Sequence, residues 1–145
     1  MLQLFALLLV AALVAISPIP ATAQSAGSEE AAIKSVIETS VRSFNKDDLN
    51  TMLAQFSDDA IIDSRAAGGK VPKAKYAEVM AEVVKKGDVI SSELRDMSVT
   101  MTDPSHATVL GTVYLQTRTS RVSGRNEWKL EKRDGRWLIV ETNRK

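Results

Sequence analysis

Cysteine is absent from the 145 residues, histidine occurs once, and aromatic residues make up 5% of the chain. The first absence excludes a disulfide framework, a thiol nucleophile and any thiolate metal site. An excess of one charge is also missing. Nineteen Lys and Arg against 18 Asp and Glu argue against a nucleic-acid or general polyanion binder. No zinc, calcium or phosphate-loop spacing occurs, and no Gly-x-Ser-x-Gly elbow is present, so no metal and no cofactor is expected. Met1–Ala23 carry no Lys, Arg, Asp or Glu. The remaining 122 residues hold all 37 of those charges, a normal density for one soluble domain large enough for a core of its own.

Leu2–Ile16 is an almost unbroken apolar stretch, ended by Ser17, Pro18 and Pro20. It is shorter than the roughly 20 residues a bilayer span needs. Ala21-Thr22-Ala23 then places small residues at −3 and −1 of a cleavage before Gln24, the layout of a secretory signal peptide, although no basic residue precedes the apolar run. An uncleaved anchor or a buried helix are the alternatives; the prolines and the small-residue triplet favour cleavage. The expected organisation is a signal peptide over 1–23, a polar lead-in over 24–28 and one domain over 29–145. Export follows, to a periplasm or the exterior, with no stable membrane anchor left after cleavage. A small exported domain without cysteine fits a bacterial periplasm better than an animal secretion.

Ile33, Val36, Ile37, Val41 and Phe44 recur at helical spacing, with Ser28 as the expected cap and Glu29 and Glu30 in the first turn. A second short helix is predicted from Asp48, with Leu49, Met52, Leu53 and Phe56 inward. Ala60–Asp63 reads as a short strand and Ala66–Lys70 as a loop. Pro72 suits the first turn of a third helix with the stripe Tyr76, Val79, Met80, Val83 and Val84, closed by Gly87. From Val89 the period changes to two. Strands are predicted around Met97–Met101, over Ala107–Arg118, around Trp128–Leu130 and over Arg136–Thr142. Asp103-Pro104-Ser105, a turn at Gly124, and the Asp134-Gly135 hairpin separate them. The last strand is apolar on both faces and is expected to be covered on both. Three helices, one early strand and a four-stranded meander make an α+β arrangement.

Phe56-Ser57-Asp58-Asp59-Ala60-Ile61-Ile62-Asp63 after two helices, and the ending Trp128-Lys129-Leu130-Glu131-Lys132-Arg133-Asp134-Gly135-Arg136-Trp137-Leu138-Ile139, resemble the nuclear transport factor 2-like superfamily. Its SnoaL-like domains of unassigned function are the most similar branch, and the resemblance runs from about Glu29 to Thr142. It implies a cone-shaped fold in which three N-terminal helices pack on a strongly bent, mostly antiparallel sheet and enclose a cavity. It also implies a homodimer through the outer sheet face. The superfamily holds isomerases, cyclases, dehydratases and pure binding modules, so the fold alone leaves function open.

Asp63 ends the early strand, where that strand would open onto the cavity. In the ketosteroid isomerases of the superfamily the general-base aspartate lies in a corresponding stretch. Matching Asp58-Asp59-Ala60 to it puts Ser64 at the base's position and Asp63 one residue before, on the opposite face of a regular strand. A solvated strand-end carboxylate is the competing reading. Phe44, Tyr76, Trp128 and Trp137 lie on core-facing stripes, and the deepest of them would wall the cavity. Glu141 shares strand parity with Trp137 and Ile139 and is a second candidate polar group at the cavity mouth. His106, in a hairpin turn, reads as a surface residue. Arg118, Arg121, Arg125, Arg144 and Lys145, interleaved with Glu127, Glu131 and Asp134, read as a mixed-sign sheet edge. The expected function is an exported domain that binds a small apolar or amphipathic ligand, with no catalytic constellation. The alternatives are a cofactor-independent isomerase, cyclase or dehydratase with Asp63 as base, and a structural or protein-interaction module.

Overall fold

Ile33 and Ile37, one helical turn apart, are both fully buried against the sheet. That stripe docks the first helix, α1 (Ala21–Phe44), in a computed structural model that describes residues 21–145. The elements that follow are α2 (Leu49–Leu53), β1 (Phe56–Ser64), β2 (Gly69–Pro72) and α3 (Lys73–Lys86). Four long strands complete the chain: β3 (Val89–Asp103), β4 (His106–Thr117), β5 (Arg121–Arg133) and β6 (Arg136–Arg144). One mixed sheet runs in the order β2-β1-β6-β5-β4-β3, antiparallel except where β1 pairs with β6 in parallel. The helices pack on one face of this open sheet, as the α+β cone requires. Among the described residues no helix is long and apolar enough to cross a membrane. The apolar segment Leu2–Ile16 lies outside the described residues.

Several local expectations are met for the reasons that suggested them. Gly87 stops α3 at φ 63°, donating to the carbonyls of Val83 and Val84. Asp134 and Gly135 both have positive φ, 51° and 75°, the requirement of a type I′ hairpin. Asp48 caps α2 through its Oδ1, which accepts from Thr51 N at 3.1 Å.

Other expectations are corrected. Ser28 does not cap α1; the helix extends upstream through the polar lead-in, and the Ser28 hydroxyl bonds back to the carbonyl of Ser25. The expected loop before α3 contains a strand, β2, whose Gly69–Pro72 pair with Ser64–Ile61 of β1. Pro72 is therefore the last strand residue and the N-cap of α3. Gly124 lies within β5 opposite Val113, while the turn falls at Arg118–Ser120. Leu138 and Val140 are half-buried, so β6 is fully covered on its inner face only.

Two irregularities reset which side chains face inward. In β3, Asp96 at φ 56° forms a bulge, and the inward series passes from Ser92 and Leu94 to Met97 and Val99. In β6, Leu130 pairs with Ile139 but Lys129 with Glu141, leaving Val140 as the extra residue. Beyond that bulge Thr142, not Glu141, continues the buried series of Trp137 and Ile139.

Candidate functional site

Helices and sheet diverge toward the end of the cone where α1, α3 and β6 finish, and there they leave a cavity of about 550 Å³. Its volume is in the range of small-molecule sites. The wall comes from the ends of several elements: Phe44 of α1, Met52 of α2, Phe56 and Ile62 of β1, Met80 of α3 and Trp128 of β5. Tyr76 of α3 stands beside Phe56, ring centroids 5.8 Å apart and tilted by 54°. Across the cavity, Gly111 of β4 lets Trp128 lie close. A Cβ there would meet the indole edge at 3.3 Å and Leu94 at 3.2 Å. Asn45, just past α1, clamps that helix to β3. Its amide donates to the carbonyl of Ser92 and accepts from Ser92 N, both at 2.7 Å.

Charged groups sit at the mouth, while Ser64, Ser92 and Thr142 are buried polar residues of the lining. Asp63 Oδ1 accepts from Nε of Arg144 at 2.8 Å, and its Oδ2 accepts from the backbone N–H of the same residue at 3.2 Å. This hydrogen-bonded ion pair holds the Asp63 carboxyl below the usual carboxylate range. Ser64 is on the inner face with Ala60 and Ile62, and its hydroxyl accepts from the N–H of Ala67. Asp63 and Ser64 therefore face opposite sides of β1, and Asp63 borders the cavity from its rim. Deeper in, burial pushes the Tyr76 phenol up to about 12. Its hydroxyl makes no hydrogen bond to any described residue.

Of the residues singled out from sequence, Phe44, Asp63, Tyr76 and Trp128 border the cavity. Trp137 does not. It is buried at the other end of the core, where its indole N–H donates to Glu29 at 2.6 Å. Glu141 also turns away, because of the bulge at Val140, and bridges Lys129 at 2.8 Å and Lys70 at 2.9 Å on the outer side of the sheet. Those two ammonium groups hold its carboxyl at about 2. His106 is half-exposed on the β3–β4 turn, 2.9 Å from Asp103, and is not a cavity residue. Sequence reasoning passed over Arg65 and Lys86, which border the mouth, and read Arg144 as a solvated edge charge. Among the described residues no group of three acidic or histidine side chains is placed to hold a metal ion.

A SnoaL-like domain matches residues 26–143, nearly the whole of the described chain. The chain belongs to the SnoaL-like domain family. Solved structures with the same fold include a hexachlorocyclohexane dehydrochlorinase from Novosphingobium barchaimii, with 14% identity, 85% of this chain and 89% of that one covered, and a TM-score of 0.72. An NTF-2 like protein of unknown function from Shewanella oneidensis has 16% identity, 80% and 98% coverage and a TM-score of 0.70. A ketosteroid isomerase-like protein from Erwinia carotovora has 19% identity, 77% and 91% coverage and a TM-score of 0.63. At such identities these structures report the fold of this SnoaL-like chain and nothing of its chemistry. No curated protein matches the chain.

Proposed function

We propose that this SnoaL-like domain binds a small amphipathic molecule in its cavity and does so without chemistry. The observation that carries the reading is the pairing of an open, mostly apolar volume with titratable groups fixed far from neutral pH. Asp63 is held ionised by Arg144, and Tyr76 is held protonated by burial. A general base works best with a pKa near the working pH, and one tuned upward by an apolar pocket would serve proton abstraction beside a carbonyl. Asp63 is shifted the other way. The open volume likewise favours a ligand over a purely structural module, in which side chains would fill the space. Export after cleavage behind Ala23 and pairing of two copies belong to the same proposal.

Thermal-shift screening of the purified protein against apolar and amphipathic compounds tests the reading. A ligand at 100 times its Kd adds about 2.7 kcal/mol of stability, a readily visible rise in Tm. The rise should persist in Asp63→Asn, and no compound should be turned over. Absence of any rise across all compound classes overturns the binding reading. Conversion of a ligand by the wild type, lost in Asp63→Asn, would replace it with the isomerase-type alternative.

A further inference from the structure

The apolar walls leave the chemistry of the ligand's polar end undetermined, and the mouth supplies it. Five charged residues border the opening: Asp63, Arg65, Lys86, Asp88 and Arg144. Asp63 and Arg144 neutralise one another. Asp88 is exposed on the turn after α3, and its backbone carbonyl is engaged by the N–H of Arg118. Arg65 opens the β1–β2 turn, Lys86 ends α3, and both border the cavity. Neither makes an ion pair with any described carboxylate. Two cations thus stand against one unpaired anion over an apolar interior, and an arginine presents donors shaped for a carboxylate.

We propose, resting on the binding reading above, that the occupant is an amphipathic carboxylate of the fatty-acid class. It lies tail-inward against Phe44, Met52, Met80 and Trp128, with its head between Arg65 and Lys86. At about 30 Å³ for each water-sized group, the cavity takes on the order of 15 to 20 non-hydrogen atoms, which leaves room for a medium-chain acid of about 12, such as decanoate, with some solvent beside it. The Tyr76 hydroxyl stands within the wall without a protein partner, so a mid-chain oxygen is accommodated and an all-hydrocarbon tail is tolerated.

The test uses three probes of one chain length and different heads: decanoate, decanol and decylammonium, titrated calorimetrically into the purified protein at neutral pH. Decanoate is expected to bind about three- to tenfold more tightly than decanol, the effect of two exposed charges at a binding mouth, and decylammonium more weakly than both. Raising the salt from low to physiological should narrow the gap. In the double variant Arg65→Gln with Lys86→Gln, decanol affinity stays unchanged while the preference for decanoate disappears. That unchanged decanol binding also reports an intact cavity. Decanol binding as well as or better than decanoate overturns the carboxylate assignment and leaves the binding reading standing. Failure of all three probes to bind overturns both.

Discussion

The carboxylate of Glu29, about two turns into α1, accepts the indole N–H of Trp137 of β6 at 2.6 Å, although the two are 108 positions apart. Its other oxygen accepts from Nζ of Lys132, also at 2.6 Å, and that ammonium lies 5.9 Å over the Trp137 ring. Helix-dipole reasoning places this acid in a first turn, but α1 starts at Ala21 and its first turn holds no acidic residue; Glu29 is instead the partner that lets a tryptophan be buried with its polar atom satisfied.

Removing that partner should therefore cost stability and not ligand binding. In Glu29→Ala the buried indole N–H is left without an acceptor, and Tm should fall by roughly 3–8 °C in a domain of this size. Glu29→Gln retains an acceptor and should fall less. Differential scanning calorimetry makes the comparison. Equal losses in the two variants would mean that charge, not the indole bond, supplies the contribution.

Acid should destabilise the protein over a defined window. Glu141 has its carboxyl lowered from 4.5 to about 2 by Lys129 and Lys70, and Asp59 from 3.8 to about 2 by Arg133. Each folded value lies below the unfolded one, so the unfolded chain takes up protons first as pH falls. Their contribution is complete above about pH 5 and is lost progressively toward about pH 2. His106 has the opposite sign. Asp103 beside it raises its pKa, so its contribution is present below 6.5 and fades as pH rises through the raised value. Tm measured against pH should fall steeply on the acid side, and Glu141→Gln should flatten that limb. A wild-type Tm that is level down to pH 2 would contradict the ion-pair account.

Tyr76→Phe should separate stability from recognition. The hydroxyl has no partner among the described residues, so its deletion orphans nothing and Tm should hold or rise slightly. A ligand whose oxygen accepts from this phenol should lose about three- to tenfold in affinity, the contribution of one neutral hydrogen bond. A Tm lowered by several degrees would show that the hydroxyl serves the fold instead.

How much of this was readable in advance depends on the range over which each signal acts. The Tyr76–Met80–Val83 stripe, the Gly87 stop and the Asp134-Gly135 turn are set by residues within a few positions, and they are legible. β2 is not. Four residues carry no periodicity, and Gly68 and Gly69 announce only a turn; the strand exists because Ile61–Ser64 offer an edge to pair with. The bulges at Asp96 and Val140 reverse strand parity without a sequence signature, and so exchanged Glu141 for Thr142 on the inner face. The Asp63–Arg144 pair depends on β1 lying parallel to β6, a long-range pairing that no local pattern encodes.

Export gives a prediction of its own. Cleavage behind Ala23 would leave α1 running from Gln24, and its buried anchors Ile33 and Ile37 lie more than two turns inside that end. The mature domain should therefore keep its core. Intact-mass measurement of protein expressed with its leader in a bacterial host should give a chain beginning at Gln24, recovered from the periplasm. A chain that retains Met1 in the membrane fraction would overturn both the boundary and the compartment.

The outer face of the sheet is where a second copy is expected to meet the first. Tyr114 of β4 is 38% exposed there, with the Arg95 guanidinium 4.8 Å above its ring, and Leu110 lies two pleat repeats away on the same side. Aromatic and arginine side chains at the centre of a patch are the usual anchors of an interface, with polar neighbours such as Thr108, Thr112 and Gln116 as its rim. Glu127 and Lys129 on the adjacent strand pull the other way, since a charged flank is content in water. Glu93 already chelates Arg95 through two contacts of 2.8 Å, so the guanidinium enters an interface with its charge balanced. A two-fold axis across β4 would bring the two Tyr114 rings together. Light scattering should therefore give twice the chain mass at tens of micromolar, and Tyr114→Glu, which sets two carboxylates against each other on that axis, should give the monomer. A wild type that remains monomeric at high micromolar concentration would assign this face to solvent instead, with Arg95 acting only as the cover of its own tyrosine.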